Sequence, residues 1–163
     1  MCLCMALSAS ARGRNSDSFF YTKGYAFDVE ISDNFLYGGY IPAYGKVGFS
    51  YKNGNGLDAG LFLCGGMSWL GLEGGAYVQT RYHFFNANLS PFMSVGIGMN
   101  LSLETEQLMP DLRVGVGVSY RRFSLSFNYE AVWGSLYVNG NGMDNVEVNV
   151  STFIPSVALT FSF

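Results

Sequence analysis

The sequence predicts an all-β protein that forms a closed, eight-stranded antiparallel up-and-down transmembrane β-barrel. First, 49% of the 163 residues are hydrophobic, 17% are aromatic and only 13% are charged, yet no apolar run approaches the roughly 18 residues of a membrane-spanning helix. Second, apolar residues alternate with small or polar ones along most of the chain, which is the period of strands whose two faces meet different surroundings. Third, short connections between these strands tend to alternate with longer ones, as in a membrane barrel with turns at one end and loops at the other.

The composition and the charge exclude two other classes of protein. A disordered chain would be polar and poor in aromatic residues. A nucleic-acid-binding domain would be basic, whereas this chain has a net charge of −3 and a pI near 5.0. A length of 163 residues suits a single domain with its own core.

The first eleven residues, MCLCMALSASA, form a short apolar run that ends in Ala9-Ser10-Ala11, an A-x-A cleavage pattern. We interpret residues 1–11 as the remnant of a secretory signal peptide whose basic front portion is missing; the alternative is an apolar first strand. Residues 12–22 then form a short polar N-terminal segment, and residues 23–163 form the barrel domain. Removal of residues 1–11 leaves Cys64 without a partner for an internal disulfide, so we expect it to be a small buried residue.

Eight segments of the chain carry the two-residue alternation and are the predicted strands. In the first, Tyr25, Phe27 and Val29 alternate with Ala26 and Asp28. Most of the segments are close to the roughly 9–11 residues that a tilted strand needs to cross a bilayer. In chain order the predicted strands span residues 25–32, 46–52, 57–68, 76–84, 95–103, 112–120, 123–133 and 156–163.

The connections predict which end of the barrel is which. The second and third strands meet at Lys52-Asn-Gly-Asn-Gly56, a hairpin signal, and the sixth and seventh turn tightly at Arg121-Arg122. An even number of strands places both chain ends on the side of these short turns. The remaining short connection is predicted at residues 86–91, and the connections of the opposite end at 33–42, 70–74, 104–111 and 134–149.

The last strand departs from the regular pattern. Val146, Val148 and Val150 are out of phase with the segment from Val157 to Phe163. A β-bulge near residues 151–155 would reconcile the two phases; alternatively, the earlier valines belong to the last loop.

The size of the side chains predicts which face of the barrel meets lipid. The interior of an eight-stranded barrel is only wide enough to be filled by side chains. The apolar faces carry bulky Phe, Tyr, Leu, Trp and Met residues, whereas the opposite faces are mostly Gly, Ser, Ala and Asn. We therefore expect the apolar faces to point to lipid, rather than to line the cavity of a soluble lipocalin-like carrier of hydrophobic ligands. The aromatic residues expected in the interfacial girdles are Tyr51, Tyr82, Phe84, Phe92, Tyr120, Phe123, Phe161 and Phe163 at the turn end, and Trp69, Tyr129 and Trp133 at the loop end.

The final segment, with Val157, Leu159, Phe161 and a terminal Phe163 in alternation, resembles the last-strand signal of a known class of proteins. From about residue 24 to residue 163 the chain resembles the small eight-stranded outer-membrane β-barrel proteins of Gram-negative bacteria, the porin-like or outer membrane protein β-barrel domain class. The resemblance implies a location in the cell outer membrane, contact with outer-membrane lipid, and recognition of the final strand by the barrel-assembly machinery. We further expect the barrel to be a monomer.

Charged residues on the small faces predict a polar network inside the barrel. Adjacent strands bring opposite charges together, and an unpaired buried charge is costly, so we expect a plug of structural salt bridges. The alternative is a gate or a narrow porin-like pore for ions or small solutes, although wide channels belong to barrels of about 16 strands. The predicted lumenal network consists of Asp28, Glu30, Lys46, Asp58, Arg81, Arg113 and Glu130.

The sequence offers little for catalysis. An outer-membrane lipid-modifying enzyme would use a histidine with a serine and an acid, but the single histidine, His83, is expected to face the lumen near the turn end rather than the outer leaflet. We therefore expect no enzymatic activity. One histidine and one remaining cysteine do not make a zinc site, and the glycines follow the strand period rather than a phosphate-binding spacing, so no cofactor is expected.

The long connections are the candidate contact sites for an outside partner. Exposed aromatic residues on outer loops suit contact with a protein, a glycan or a neighbouring cell surface; alternatively, they cap the mouth of the barrel or extend the strands. The candidate contact residues are Tyr37, Tyr40 and Tyr137. From the sequence we therefore predict a structural or surface-interaction role through the extracellular loops.

Overall fold

The computed structural model describes residues 19–34, 43–68, 71–103, 106–138 and 146–163, which form a closed barrel. Every strand pairs antiparallel with the next in the chain, and the first pairs with the last, where Asp28 lies opposite Ser162. The predicted fold class is confirmed. A short 3-10 helix, Phe19–Tyr21, precedes the strands, and no helix in the described part of the chain is long and apolar enough to cross a membrane. The strands are β1 Gly24–Asn34, β2 Ala43–Lys52, β3 Leu57–Ser68, β4 Gly71–His83, β5 Leu89–Ser102, β6 Gln107–Tyr120, β7 Phe123–Val138 and β8 Val146–Ser162.

The two-residue alternation divides the side chains into an apolar exterior and a polar interior, because successive residues of a strand point to opposite faces. On β5 the exposed residues Val95 and Ile97 alternate with the buried Ser94 and Asn100. Ile97 is 66% exposed, which is the behaviour of a residue that faces out of the barrel. The buried residues of the protein therefore line the lumen, and many of them are polar.

The strands extend further than the apolar alternation indicates. The predicted connection at residues 70–74 is wrong for most of its length, because β4 begins at Gly71. The hairpin of β7 and β8 continues to the pair Val138 and Val146. Glycines and polar residues interrupt the apolar alternation but not the backbone hydrogen bonds, so the strands remain paired beyond the point where the alternation ends.

The predicted discontinuity of the last strand is also wrong. β8 is a single strand whose pairing with β7 keeps the same register from Phe161 to Val146, so neither a bulge near residues 151–155 nor a loop at the valines is present. Ile154 is an apolar residue that faces inwards, while Phe153 is exposed. The alternation of apolar residues thus shifts without a change in the backbone.

The lumen is filled by large side chains that lie against glycines. Phe62, Tyr77 and Phe92 all point inwards and are buried. A Cβ atom added to Gly98 would lie 2.5 Å from a ring carbon of Tyr77, and one added to Gly117 would lie 2.6 Å from the ring of Phe92. Glycine on one strand therefore makes room for an aromatic ring on another.

This packing predicts that Gly98→Ala destabilises the barrel, whereas Gly96→Ala does not. Both residues lie on β5 and face inwards, but a Cβ at Gly96 would meet Gln79 Cβ at 3.5 Å, an ordinary contact. We expect Gly98→Ala to lower the free energy of unfolding by about 1–3 kcal/mol, the usual range for overpacking, and Gly96→Ala to change it by no more than about 0.5 kcal/mol. Urea titration of both variants measures the difference; equal stabilities would show that the Tyr77 ring moves freely aside.

Candidate functional site: the lumenal polar network

The charged residues inside the barrel form two clusters along its axis. The turn-side cluster lies near the short connections at residues 53–56, 84–88 and 121–122, and the loop-side cluster lies nearer the opposite end. The turn-side cluster consists of Asp28, Ser50, Asp58, Arg81 and His83, and the loop-side cluster of Glu30, Lys46, Tyr77, Asn100, Asp111, Arg113, Glu130 and Thr160.

Arg81 organises the turn-side cluster. Its Nη2 lies 2.6 Å from Asp28 Oδ2, and its Nε lies 3.2 Å from Asp58 Oδ1. Ser50 Oγ donates a further hydrogen bond to Asp28 at 2.8 Å. All four side chains are buried, so one guanidinium joins three strands, β1, β3 and β4, across the interior.

Arg113 and Lys46 share the acids of the loop-side cluster. Arg113 Nη1 lies 2.6 Å from Glu30 Oε1, and Lys46 Nζ lies 3.9 Å from both Glu30 and Glu130. Thr160 Oγ1 also donates to Glu30. Arg113 and Glu130 are opposite each other on β6 and β7, yet the short ion pair of Arg113 runs across the lumen to β1. Such cross-lumen partners do not follow from the order of neighbouring strands.

Further residues that were not predicted to belong to the network lie in the loop-side cluster or beside it. Tyr77 donates its hydroxyl proton to Asp111, and Asn100 Nδ2 donates to the same carboxylate at 3.0 Å. Tyr44 in turn donates to Asn100 Oδ1 at 2.7 Å and lies 3.3 Å from Cys64 Sγ. Cys64 is half-buried rather than buried. The only sequence signal for these residues is that each occupies the inward phase of its strand.

His83 has a serine and a carboxylate beside it. Ser119 Oγ lies 3.4 Å from Nδ1, and Asp58 Oδ2 lies 3.7 Å from Nε2. This is the residue set of a nucleophile, base and acid, but both distances exceed the 2.6–3.2 Å of a working hydrogen-bond relay. His83 is 0% exposed, and the ring of Phe20 is stacked on it with 4.0 Å between centroids. A substrate has no access to this set.

The residues just before β1 close the turn end of the lumen. Phe20 is 2% exposed, although the surrounding segment 12–22 reads as polar. The Tyr21 hydroxyl donates to the backbone oxygen of His83 at 2.7 Å, and Lys52 Nζ lies 3.1 Å from the centroid of the Phe19 ring. Burial raises the pKa of the Tyr21 phenol. The 3-10 helix therefore covers the turn end of the lumen, and the sequence pattern did not predict this.

The other sequence-predicted residues fall into three groups. Leu159 and Phe163 of the predicted assembly signal point out of the barrel. Tyr137 belongs to β7 and pairs with Glu147, so the strands extend into the predicted connection, which is one of the two alternatives stated above, and the contact role of Tyr137 stays a prediction. Tyr37 and Tyr40 lie outside the described residues. Phe92, predicted in the girdle, is instead 3% exposed and packs beside His83 inside the barrel, because its position on β5 has the inward phase. The other predicted girdle residues that the structure describes as exposed are Tyr51, Tyr82, Phe84, Tyr120, Phe123, Tyr129, Trp133 and Phe163.

Two solved structures are similar to this barrel. The N-terminal β-barrel domain of Pseudomonas aeruginosa OprF matches it with a TM-score of 0.52 and 12% sequence identity, over 87% of this chain and 100% of that chain. The chain has the fold of a small outer-membrane β-barrel. Neisserial surface protein A (NspA) matches with a TM-score of 0.49 and 14% identity, over 85% of this chain and 96% of that chain. No protein-family model and no curated protein matches the sequence.

The chemistry of the network is that of a packed interior. Within the described residues, no group of three or more His, Cys, Asp or Glu side chains is arranged to hold a metal ion. The largest fully buried side chains, among them Arg113, Tyr77, Phe20 and Lys46, occupy the lumen. Their ion pairs tie distant strands together, and they leave little room for a solute to pass.

Proposed function

We propose that the protein is an integral protein of the cell outer membrane with a structural or surface-interaction role through its extracellular loops. The observation that carries this proposal is the apolar exterior, where Leu61, Ile97 and Val116 are all more than half exposed. Residues of this kind on every strand suit hydrocarbon, and a closed barrel satisfies its backbone hydrogen bonds without water. The barrel contacts outer-membrane lipid directly and acts as a monomer.

The contents of the lumen favour this role over the two alternatives. A porin-like pore needs a continuous aqueous path. Along the barrel axis, however, Phe20 is followed by the turn-side cluster and then by the loop-side cluster. A lipid-modifying enzyme needs an accessible nucleophile, but Ser119 and His83 are both buried, and the ring of Phe20 is stacked on His83. The loops are then the part of the molecule available to a partner, and the outward-facing end of β8 suits recognition by the barrel-assembly machinery.

The first experiment is to express the chain with a complete signal peptide and to fractionate the membranes. We expect the protein in the outer-membrane fraction, with a faster band on an SDS gel before boiling than after, because a closed barrel resists SDS until it is heated. Planar-bilayer recordings should show no steady conductance. A soluble protein without a heat-dependent shift would contradict the proposal and would favour a lipocalin-like carrier; a stable conductance would favour the narrow pore.

A further inference from the structure

The basic residues of the chain are distributed unevenly along the barrel axis. Lys46, Arg81 and Arg113 are buried in the lumen, and Arg12 and Arg14 precede the described residues. The remaining four, Lys23, Lys52, Arg121 and Arg122, all lie at the turn end, where Lys52 is also buried. The loop-end connections, residues 35–42, 69–70, 103–106 and 139–145, contain no lysine or arginine, while Glu104, Glu106 and Asp144 lie there.

Exposed cations at the turn end are interleaved with exposed aromatic rings. Lys23, Arg121 and Arg122 are exposed. The turn-end connections within the described residues contain no Asp or Glu; these connections are residues 19–23, 53–56, 84–88 and 121–122. Within the described part of the chain, none of the three cations has an ion-pair partner. We call this surface the basic-aromatic rim; its members are Lys23, Arg121, Arg122 and the exposed rings of Tyr25, Tyr51, Tyr82, Phe84, Tyr120, Phe123 and Phe163.

The hairpin between β6 and β7 holds the two arginines in place. The backbone N–H of Arg121 donates to Asn88 O at 2.9 Å, and the oxygen of Arg122 accepts from Ser162 N at 2.9 Å. Arg121 has a φ of 54°, a conformation in which a two-residue hairpin favours glycine or asparagine. The turn therefore carries arginine at a position where its backbone would prefer a smaller residue, and hydrogen bonds to Asn88 and to the end of β8 fix the position of the turn on the rim.

We propose that the basic-aromatic rim binds the phosphodiester headgroups of anionic phospholipids in the leaflet at the turn end; this inference rests on the proposed membrane location. Arginine matches phosphate oxygens with two parallel hydrogen bonds, and rings such as Tyr120 lie at the headgroup level of a bilayer. Arg121 and Arg122 lie together on the turn between β6 and β7, and Lys23 lies just before β1. Acyl chains of the bound lipids then lie along the apolar exterior beside them, which a soluble anion could not use.

Native mass spectrometry of the detergent-purified barrel tests this assignment. The barrel is mixed with equal amounts of phosphatidylglycerol and phosphatidylcholine of the same acyl chains, and the bound lipids are counted. The neutral variant R121G/R122N suits the turn geometry, and R121K/R122K retains the charge. Each basic residue near an anionic surface strengthens the binding of anionic lipid, so the loss of two should lower the preference for phosphatidylglycerol over phosphatidylcholine about thirtyfold. The variant R121K/R122K should keep most of this preference.

Each outcome decides the inference. Equal adducts of the two lipids on the wild-type protein, or an unchanged preference in R121G/R122N, would overturn it. Displacement of phosphatidylglycerol by an equal concentration of inorganic phosphate would mean that the rim recognises phosphate alone, and would overturn the lipid assignment. If R121G/R122N does not fold, K23Q/R122Q removes two rim charges and gives the same readout. The heat-dependent gel shift reports the proposed function separately, because a barrel can insert into membranes without any headgroup preference.

Discussion

Replacing Leu61 with arginine should destabilise the barrel in a phospholipid bilayer by about 2–4 kcal/mol, the cost of a cation at the membrane midplane on the lipid face. Leu61 is 61% exposed and lies near the middle of β3. Its partners across the ladder, Phe49 on β2 and Val78 on β4, also point outwards. An arginine here would have to reach a headgroup from the centre of an apolar band.

Leu57→Arg is the matched control for this substitution. Leu57 lies on the same strand and the same face, is 42% exposed, and is opposite Tyr82 at the turn end. An arginine near the interface costs only about 0–1 kcal/mol. The free energy of unfolding of both variants is measured by urea titration in phosphatidylcholine vesicles. If Leu61→Arg cost no more than Leu57→Arg, the outer face would not be in contact with hydrocarbon.

Most of the fold can be predicted from the sequence because a barrel repeats one local rule. Successive side chains of each strand point to opposite faces, and each strand pairs with the next one in the chain. The eight segments and their order therefore follow from the two-residue alternation. The ends of the strands cannot be predicted in the same way. Val146 pairs with Val138 although the apolar phase has changed by then, because backbone hydrogen bonds hold the ladder regardless of side-chain polarity.

The interior is only partly within reach of sequence reasoning. Glu30 and Lys46 occupy paired positions on adjacent strands, so their proximity follows from strand order and register. The contact of Arg113 with Glu30 depends instead on the diameter and stagger of the closed barrel, which no local pattern encodes. The burial of Phe20 was not predicted for a related reason. It depends on the closed barrel, whose turn end Phe20 covers, whereas the segment around Phe20 is polar.

Removal of the Arg81 guanidinium is predicted to have the largest effect among the buried charges. Arg81→Met should lower the free energy of unfolding by about 3–5 kcal/mol, because breaking a buried pair leaves uncompensated charge. Here the carboxylates of Asp28 and Asp58 would both lose their cation, and Asp28 is 0% exposed. Lys23→Gln, which removes an exposed cation, should change the stability by no more than about 0.5 kcal/mol.

The companion substitution Asp28→Asn separates loss of charge balance from loss of packing. In the double variant R81M/D28N one of the two stranded carboxylates is neutral, so the combined cost should fall short of the sum of the single costs by about 0.5–3 kcal/mol, the usual coupling between contacting residues. Urea titration of the four proteins of this cycle gives the coupling. A small cost for Arg81→Met with no coupling would mean that both carboxylates are balanced without the guanidinium, by water, by protonation or by the buried Lys52. Planar-bilayer recordings of R81M separate these cases, because only a water-filled lumen beside position 81 would conduct ions and favour the narrow pore.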